Sequence, residues 1–317
     1  MTRPSRYPAA AQEARLVSAL AASANAVAAV PPVLRHLVLA GDPALFSDRV
    51  VARVRSLLDD LAAQLLGPAR APIAGMTLPS EGDEVRHALA TSLSAHPALL
   101  SHAHALALEA ALAERLCSSL GLDPVFSPLL ARLTASSEPA RSAPARALVA
   151  AQARFVEAQR RGQLPLEELP GDLLHLALIT KRAQLGSADP VGQGRAAAAA
   201  RDARAVPEAS ETRLALLHAV VAGLGTGADA AVDIADGGVA LFLTTLALGS
   251  GQQRDAVALA SGISQLPRLA VALVASGIGA DAAARQVCAI HPGAAIPDGL
   301  ERLAPEHAAA LLACAGD

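Results

Sequence analysis

The sequence predicts an all-α protein arranged as two lobes. Three observations carry this. Of its residues 53% are apolar but only 2% aromatic, and the apolar set is dominated by Ala and Leu, the strongest helix formers. The β-forming residues Tyr, Phe, Trp and Ile are scarce, with one Tyr, four Phe and no Trp, which argues against a large sheet. Prolines, glycines and capping residues punctuate the chain at helical intervals. The expected core is Leu, Ala and Val packed closely through small side chains.

The elements follow from that punctuation. Residues 9–30 read as one helix, stopped by Pro31–Pro32. Ser47 has the position of an N-cap for a helix running to Leu66 and closed by Gly67–Pro68. Residues 68–80 form a loop, and helices follow at about 82–94 and 97–120. Pro97 and Pro124 suit first helical positions, with Asp123 capping the second. Leu120-Gly121-Leu122 has the form of a Schellman ending. Residues 143–161 are strongly patterned: Arg146, Ala150, Arg154, Glu157 and Arg161 fall on one face, and Leu148, Gln152, Phe155, Val156 and Gln159 on the opposite one. Residues 172–185 read as a helix apolar on most sides, as a central element would be. The Gly, Pro and Ala-rich stretch 186–206 marks a linker followed by a solvated helix, dividing an N-terminal helical domain (1–185) from a C-terminal domain of short helices (207–317). In the latter, Ala256–Ile263 resembles Ala270–Ile278: each is a short apolar helix ended by Ser-Gly-Ile, with the Ile able to fold back onto the last turn.

Charge and cysteine content exclude several classes. Residues 1–185 carry 18 basic and 16 acidic side chains, and residues 186–317 carry 8 and 13. Neither part has the dense basic stripe that nucleic acid requires, so no nucleic-acid partner is expected. Cys117, Cys288 and Cys314 are odd in number and far apart, which is neither a disulfide framework nor a zinc spacing. Arg3, Arg6 and the uncharged stretch from Leu16 have the outline of a signal peptide. Glu13, Arg15 and the Ala/Ser composition oppose it, and the same stretch is weakly apolar for a membrane span. The expected location is the cytoplasm, away from membranes.

The candidate constellations are sparse. His87, His96, His102 and His104 lack the convergent spacing of metal ligands and read as structural. Gly223-Leu224-Gly225-Thr226-Gly227 follows a helix and lacks a terminal Gly-Lys-Ser/Thr, so it reads as a helix-to-helix turn. Cys117 reads as a buried, inert thiol near a helix C-terminus. No metal, cofactor or catalytic residue is expected.

Residues 151–182 stand out. Gln152 and Gln159 flank Phe155 on an otherwise apolar face, as amides that fix helix packing by specific hydrogen bonds. Phe155 is expected to be buried against the helix after Gly171, with Arg154 solvated across from it. Glu168, Asp172, His175 and Arg182 would share one stripe if the second helix starts early. The candidate interaction surface is Gln152, Arg154, Gln159, Arg161, Glu168, Asp172 and His175. Over about Leu112–Arg182 the chain also resembles a bacterial family of domains of unknown function, DUF 2336. The stretches that carry it are Ser127-Pro128-Leu129-Leu130, Ala150-Ala151-Gln152-Ala153-Arg154-Phe155, Gln159-Arg160-Arg161 and Leu164-Pro165-Leu166-Glu167-Glu168-Leu169-Pro170. The resemblance implies helical hairpins stacked in a HEAT-like array and no catalytic residues. The expected role is a non-catalytic protein–protein interaction or regulatory module with a protein partner; the alternative is an enzyme or small-ligand-binding protein whose pocket draws on scattered residues.

Overall fold

The computed structural model describes residues 9–39, 49–67, 81–185 and 212–314. Of these, 83% are helical and none lies in a strand, so the all-α expectation holds. Ser47, the loop at 68–80 and the expected linker at 186–206 lie outside the described residues.

Numbered among the described residues, the helices are α1 (Ala9–Leu39), α2 (Arg49–Leu66), α3 (Glu81–Ser94), α4 (Pro97–Leu120), α5 (Pro128–Thr134), α6 (Pro139–Arg160) and α7 (Gly171–Leu185). Then come α8 (Arg213–Leu224), α9 (Asp229–Val232), α10 (Ile234–Ser250), α11 (Arg254–Ala260), α12 (Leu266–Ala275), α13 (Ala280–Ile290) and α14 (Pro305–Cys314). The chain divides into two compact units, one from Met1–Val30, Leu108–Val149 and Leu217–Asp317, the other from Pro31–Ala107 and Ala150–Leu216. The units interleave along the sequence, unlike the successive lobes 1–185 and 207–317 that composition suggests.

In the unit that begins at Pro31, α2, α3 and α7 pack together. Helix α2 supplies the ridge: Val51, Val54, Leu57, Leu58, Leu61, Ala62 and Leu65 are all buried, at helical spacing. Basic side chains bond to helix ends. Arg55 donates to the carbonyls of Val38 and Leu37 at 2.8 and 2.9 Å, and Lys181 donates to Leu65 at 2.5 Å. Each satisfies last-turn carbonyls that have no partner within their own helix.

The other unit is built around α12, in which Leu266 and every residue from Arg268 to Ala275 are buried and which packs on α10, α11, α13 and α14. Gly238 breaks α10 locally with φ 72° and ψ 168°. A Cβ there would lie 2.9 Å from that of Ser127, the N-cap of α5, so the close approach of these two elements requires glycine.

Several expected boundaries move. Helix α1 continues through Pro31 and Pro32, although two amide donors are missing there. Leu34 and Val38 are buried beyond the prolines, and Arg55 caps the far end, which offsets the lost bonds. Ala11–Val38 is thereby one described helix long and apolar enough to cross a membrane, and 17% of its most apolar window is buried. Asp123 does not cap a helix at Pro124: its Oδ1 accepts from the amides of Val125 and Phe126 in a turn, while Ser127 caps α5. The glycine cluster is a 3-10 turn, Gly225–Gly227, leading into α9, as expected. Leu122 N–H reaches back to Leu116 at 3.4 Å, the Schellman bond expected there. Cys117 is exposed, so its reading as a buried thiol fails: the buried face of α4 at that level is that of Leu112 and Leu116.

Candidate functional site

The patterned face of α6 forms as read. Leu148, Gln152, Phe155 and Gln159 are buried, while Arg146, Arg154 and Arg161 are exposed. What the sequence reading missed is the group that Gln152 and Phe155 meet. Arg213, in the first turn of α8, is 2% exposed. Its guanidinium carbon lies 3.6 Å from the centroid of the Phe155 ring. Its Nη1 donates to Gln152 Oε1 at 3.3 Å, and its Nε donates to both Glu168 oxygens at 2.9 Å. Nη2 completes the pair to Glu168 Oε2 at 2.8 Å. A planar cation stacked on an aromatic face with its edge forked onto a carboxylate uses what distinguishes arginine from lysine.

Glu168 reaches this position because it is not on α7. Pro165 and Pro170 bracket a single 3-10 turn, Leu166–Glu168, and α7 begins only at Gly171. The expected stripe of Glu168, Asp172, His175 and Arg182 therefore splits. Glu168 turns inward, while Asp172, His175 and Arg182 are exposed. The Glu168 carbonyl lies 3.0 Å from Nε2 of His102, a ring that is 1% exposed. A carbonyl only accepts, so Nε2 of His102 carries the proton.

The turn that follows α6 is fastened to α2. Asp60 Oδ2 accepts from the amide of Leu164 at 2.9 Å and from Gln64 Nε2, which also donates to the Leu164 carbonyl. Ser56 Oγ donates to the Gly162 carbonyl at 3.1 Å. Gly162 has φ +68°, and a Cβ there would lie 2.2 Å from Ser56 Oγ. Gln159 donates to the Gln163 carbonyl, and its buried Oε1 has no hydrogen-bond partner among the described residues.

A second buried ion pair stands in the other unit. Arg254 forks onto Glu109 at 2.9 and 2.8 Å and donates from Nε to Thr244 Oγ1 at 3.0 Å. In the same unit His291 ends α13 and lies 2.8 Å from the Ser261 carbonyl. Burial pushes its pKa down and the Arg115 charge adds to that, against the carbonyl, which favours the protonated ring. Burial likewise lowers the Lys181 pKa.

Of the seven candidate residues, three (Gln152, Gln159, Glu168) are interior and four (Arg154, Arg161, Asp172, His175) lie on the surface. Both Glu168 oxygens accept from Arg213. Arg161 pairs with Glu157 of α6 at 2.8 Å. Among the described residues no group of three or more His, Cys, Asp and Glu is placed to hold a metal ion. The Arg213 partnership had one sequence signal, a charged residue opening an otherwise apolar helix, Arg-Leu-Ala-Leu-Leu-His-Ala-Val-Val-Ala-Gly-Leu. No family model, curated protein or solved structure matches the chain.

Proposed function

We propose that the protein is a non-catalytic helical module that binds a protein partner, using the exposed side of α6 and α7. The reading rests on one observation above the others: the interior Gln152, Glu168 and Arg213 side chains are bound to one another, while Arg154, Arg161, Asp172 and His175 are exposed. Arg154 on α6 and Arg161, the residue directly after that helix, lie seven positions apart, and both are exposed. A rigid helix carrying spaced charges sets orientation and encounter rate for a partner more than it sets raw affinity. Stacked helical hairpins of HEAT-like form, which a resemblance of residues 112–182 to DUF 2336 would imply, would suit the same non-catalytic reading.

The test is capture from extract of the native cell with the parent chain and with Arg154→Glu/Arg161→Glu. The proposal expects a saturable partner that the charge-reversed variant loses at unchanged thermal stability. A captured set indifferent to these charges, or lost only when the protein unfolds, refutes it.

A further inference from the structure

Helix α7 inverts the expected placement of two of its side chains. Its buried side chains are Leu173, Ala177, Thr180 and Lys181, while Ile179 is 50% exposed. The chain thus places a lysine inside, its Nζ 2.5 Å from the Leu65 carbonyl, and an isoleucine outside. Ile179 is also not isolated. Asp172, His175, Ile179 and Arg182 are all exposed, at spacings of three, four and three residues. At 100° per residue they fall within about 80° of arc, on a stripe roughly 15 Å long. Its order is acid, imidazole, isoleucine, guanidinium.

That order is self-complementary. Laid antiparallel on a second α7, Asp172 meets Arg182 and His175 meets Ile179, each pairing occurring twice about one two-fold axis. The acid sits in the first turn and the arginine in the last turn of the helix, so charge pairing and opposed helix dipoles favour the same arrangement. We infer that the α7 stripe of Asp172, His175, Ile179 and Arg182 is a self-association surface, whose partner is the same stripe of a second copy of this chain.

The inference rests on the reading of this side as an interface, but it needs no foreign partner. One helical stripe is small beside a standard protein interface, so the dimer is weak and dilution dissociates it.

Sedimentation velocity of the full chain across a dilution series tests it, with three variants beside the parent. Asp172→Arg places like charges opposite one another twice and weakens association by about tenfold or more. Ile179→Asp removes the apolar centre and abolishes it. The exchange Asp172→Arg/Arg182→Asp restores the pairing and recovers an affinity close to the parent's. All four positions are exposed, and circular dichroism melts confirm that each variant folds. A parent that stays monomeric at every concentration overturns the inference, as does a dimer that ignores Ile179→Asp or is not rescued by the exchange. Loss of a captured foreign partner on Arg154→Glu/Arg161→Glu is read separately, so the two failures are distinguishable and failure of the dimer leaves the proposed function standing.

Discussion

The Arg213–Glu168 pair permits a quantitative prediction. Both side chains are at most 3% exposed, with Nη2 and Oε2 2.8 Å apart. At an effective dielectric near 20, unit charges at that distance attract by about 6 kcal/mol. Desolvating two ions costs several kcal/mol each, so the net contribution of the pair is small. Removing one member is different, because the other charge stays buried. Arg213→Met and Glu168→Met are each expected to cost about 3–5 kcal/mol. The double variant Arg213→Met/Glu168→Met leaves no stranded charge, and should cost far less than the sum of the singles. Urea denaturation of the four proteins gives the coupling energy directly. Additivity within about 0.5 kcal/mol would show that water reaches the pair, and the account of a dry, mutually dependent network would be wrong.

Three further outcomes follow from the same structure. Phe155→Ala should cost about 3–5 kcal/mol in urea melts, and Arg154→Ala across the helix under about 0.5 kcal/mol; equal costs would mean that α6 faces the other way. Gly162→Ala places a Cβ against Ser56 at a left-handed φ, for at least about 1–2 kcal/mol from backbone alone. A Ser56→Gly background should relieve the clash but not that backbone cost, and full rescue in thermal melts would refute the left-handed assignment. His291 should impose a pH dependence. Its pKa is lowered in the folded state, so the folded protein takes up its proton later than the unfolded chain does. Its stability is then full above the ordinary histidine range, near 6.5, and is lost as pH falls through that value toward the folded one. His291→Gln should flatten this acid limb of stability against pH, and an unchanged slope would assign it to other groups.

Helix α6 was legible because its signal is local: apolar and charged residues alternate at 3.6-residue spacing, and the structure keeps both faces. The faint repeat was legible for the same reason. Ser261 and Ser276 both end helices, and each Oγ donates to the carbonyl three residues back, at 2.6 and 2.7 Å. Yet Ile263 is 62% exposed, so it does not fold back as expected. At the start of α5 two cap-plus-proline pairs competed, Asp123-Pro124 and Ser127-Pro128. The second wins because it buries Leu129, Leu130 and Leu133, a tertiary gain that local capping rules do not weigh. The partner of Glu168 lies 45 residues away in sequence, and nothing in the local pattern of either residue points to the other. The inward Lys181 was hidden for a related reason: its partner is the Leu65 carbonyl near the C-terminal end of a helix distant in sequence, which no local pattern shows.

Lys181 is the only lysine in the chain, and burial has a practical result. Amine-directed reagents find no lysine on the protein's surface, so surface mapping or cross-linking must use carboxylates, arginines or the exposed thiols instead. The same fact supplies a reporter. A protease that cuts only after lysine has a single target bond, within the C-terminal half of α7, and a helical bond must be unwound before it enters an active site. When reclosing outpaces cleavage, the digestion rate follows the fraction of molecules with α7 open. One gel band splitting into two, at residue 181, would then time the opening of a single helix in an otherwise unlabelled protein.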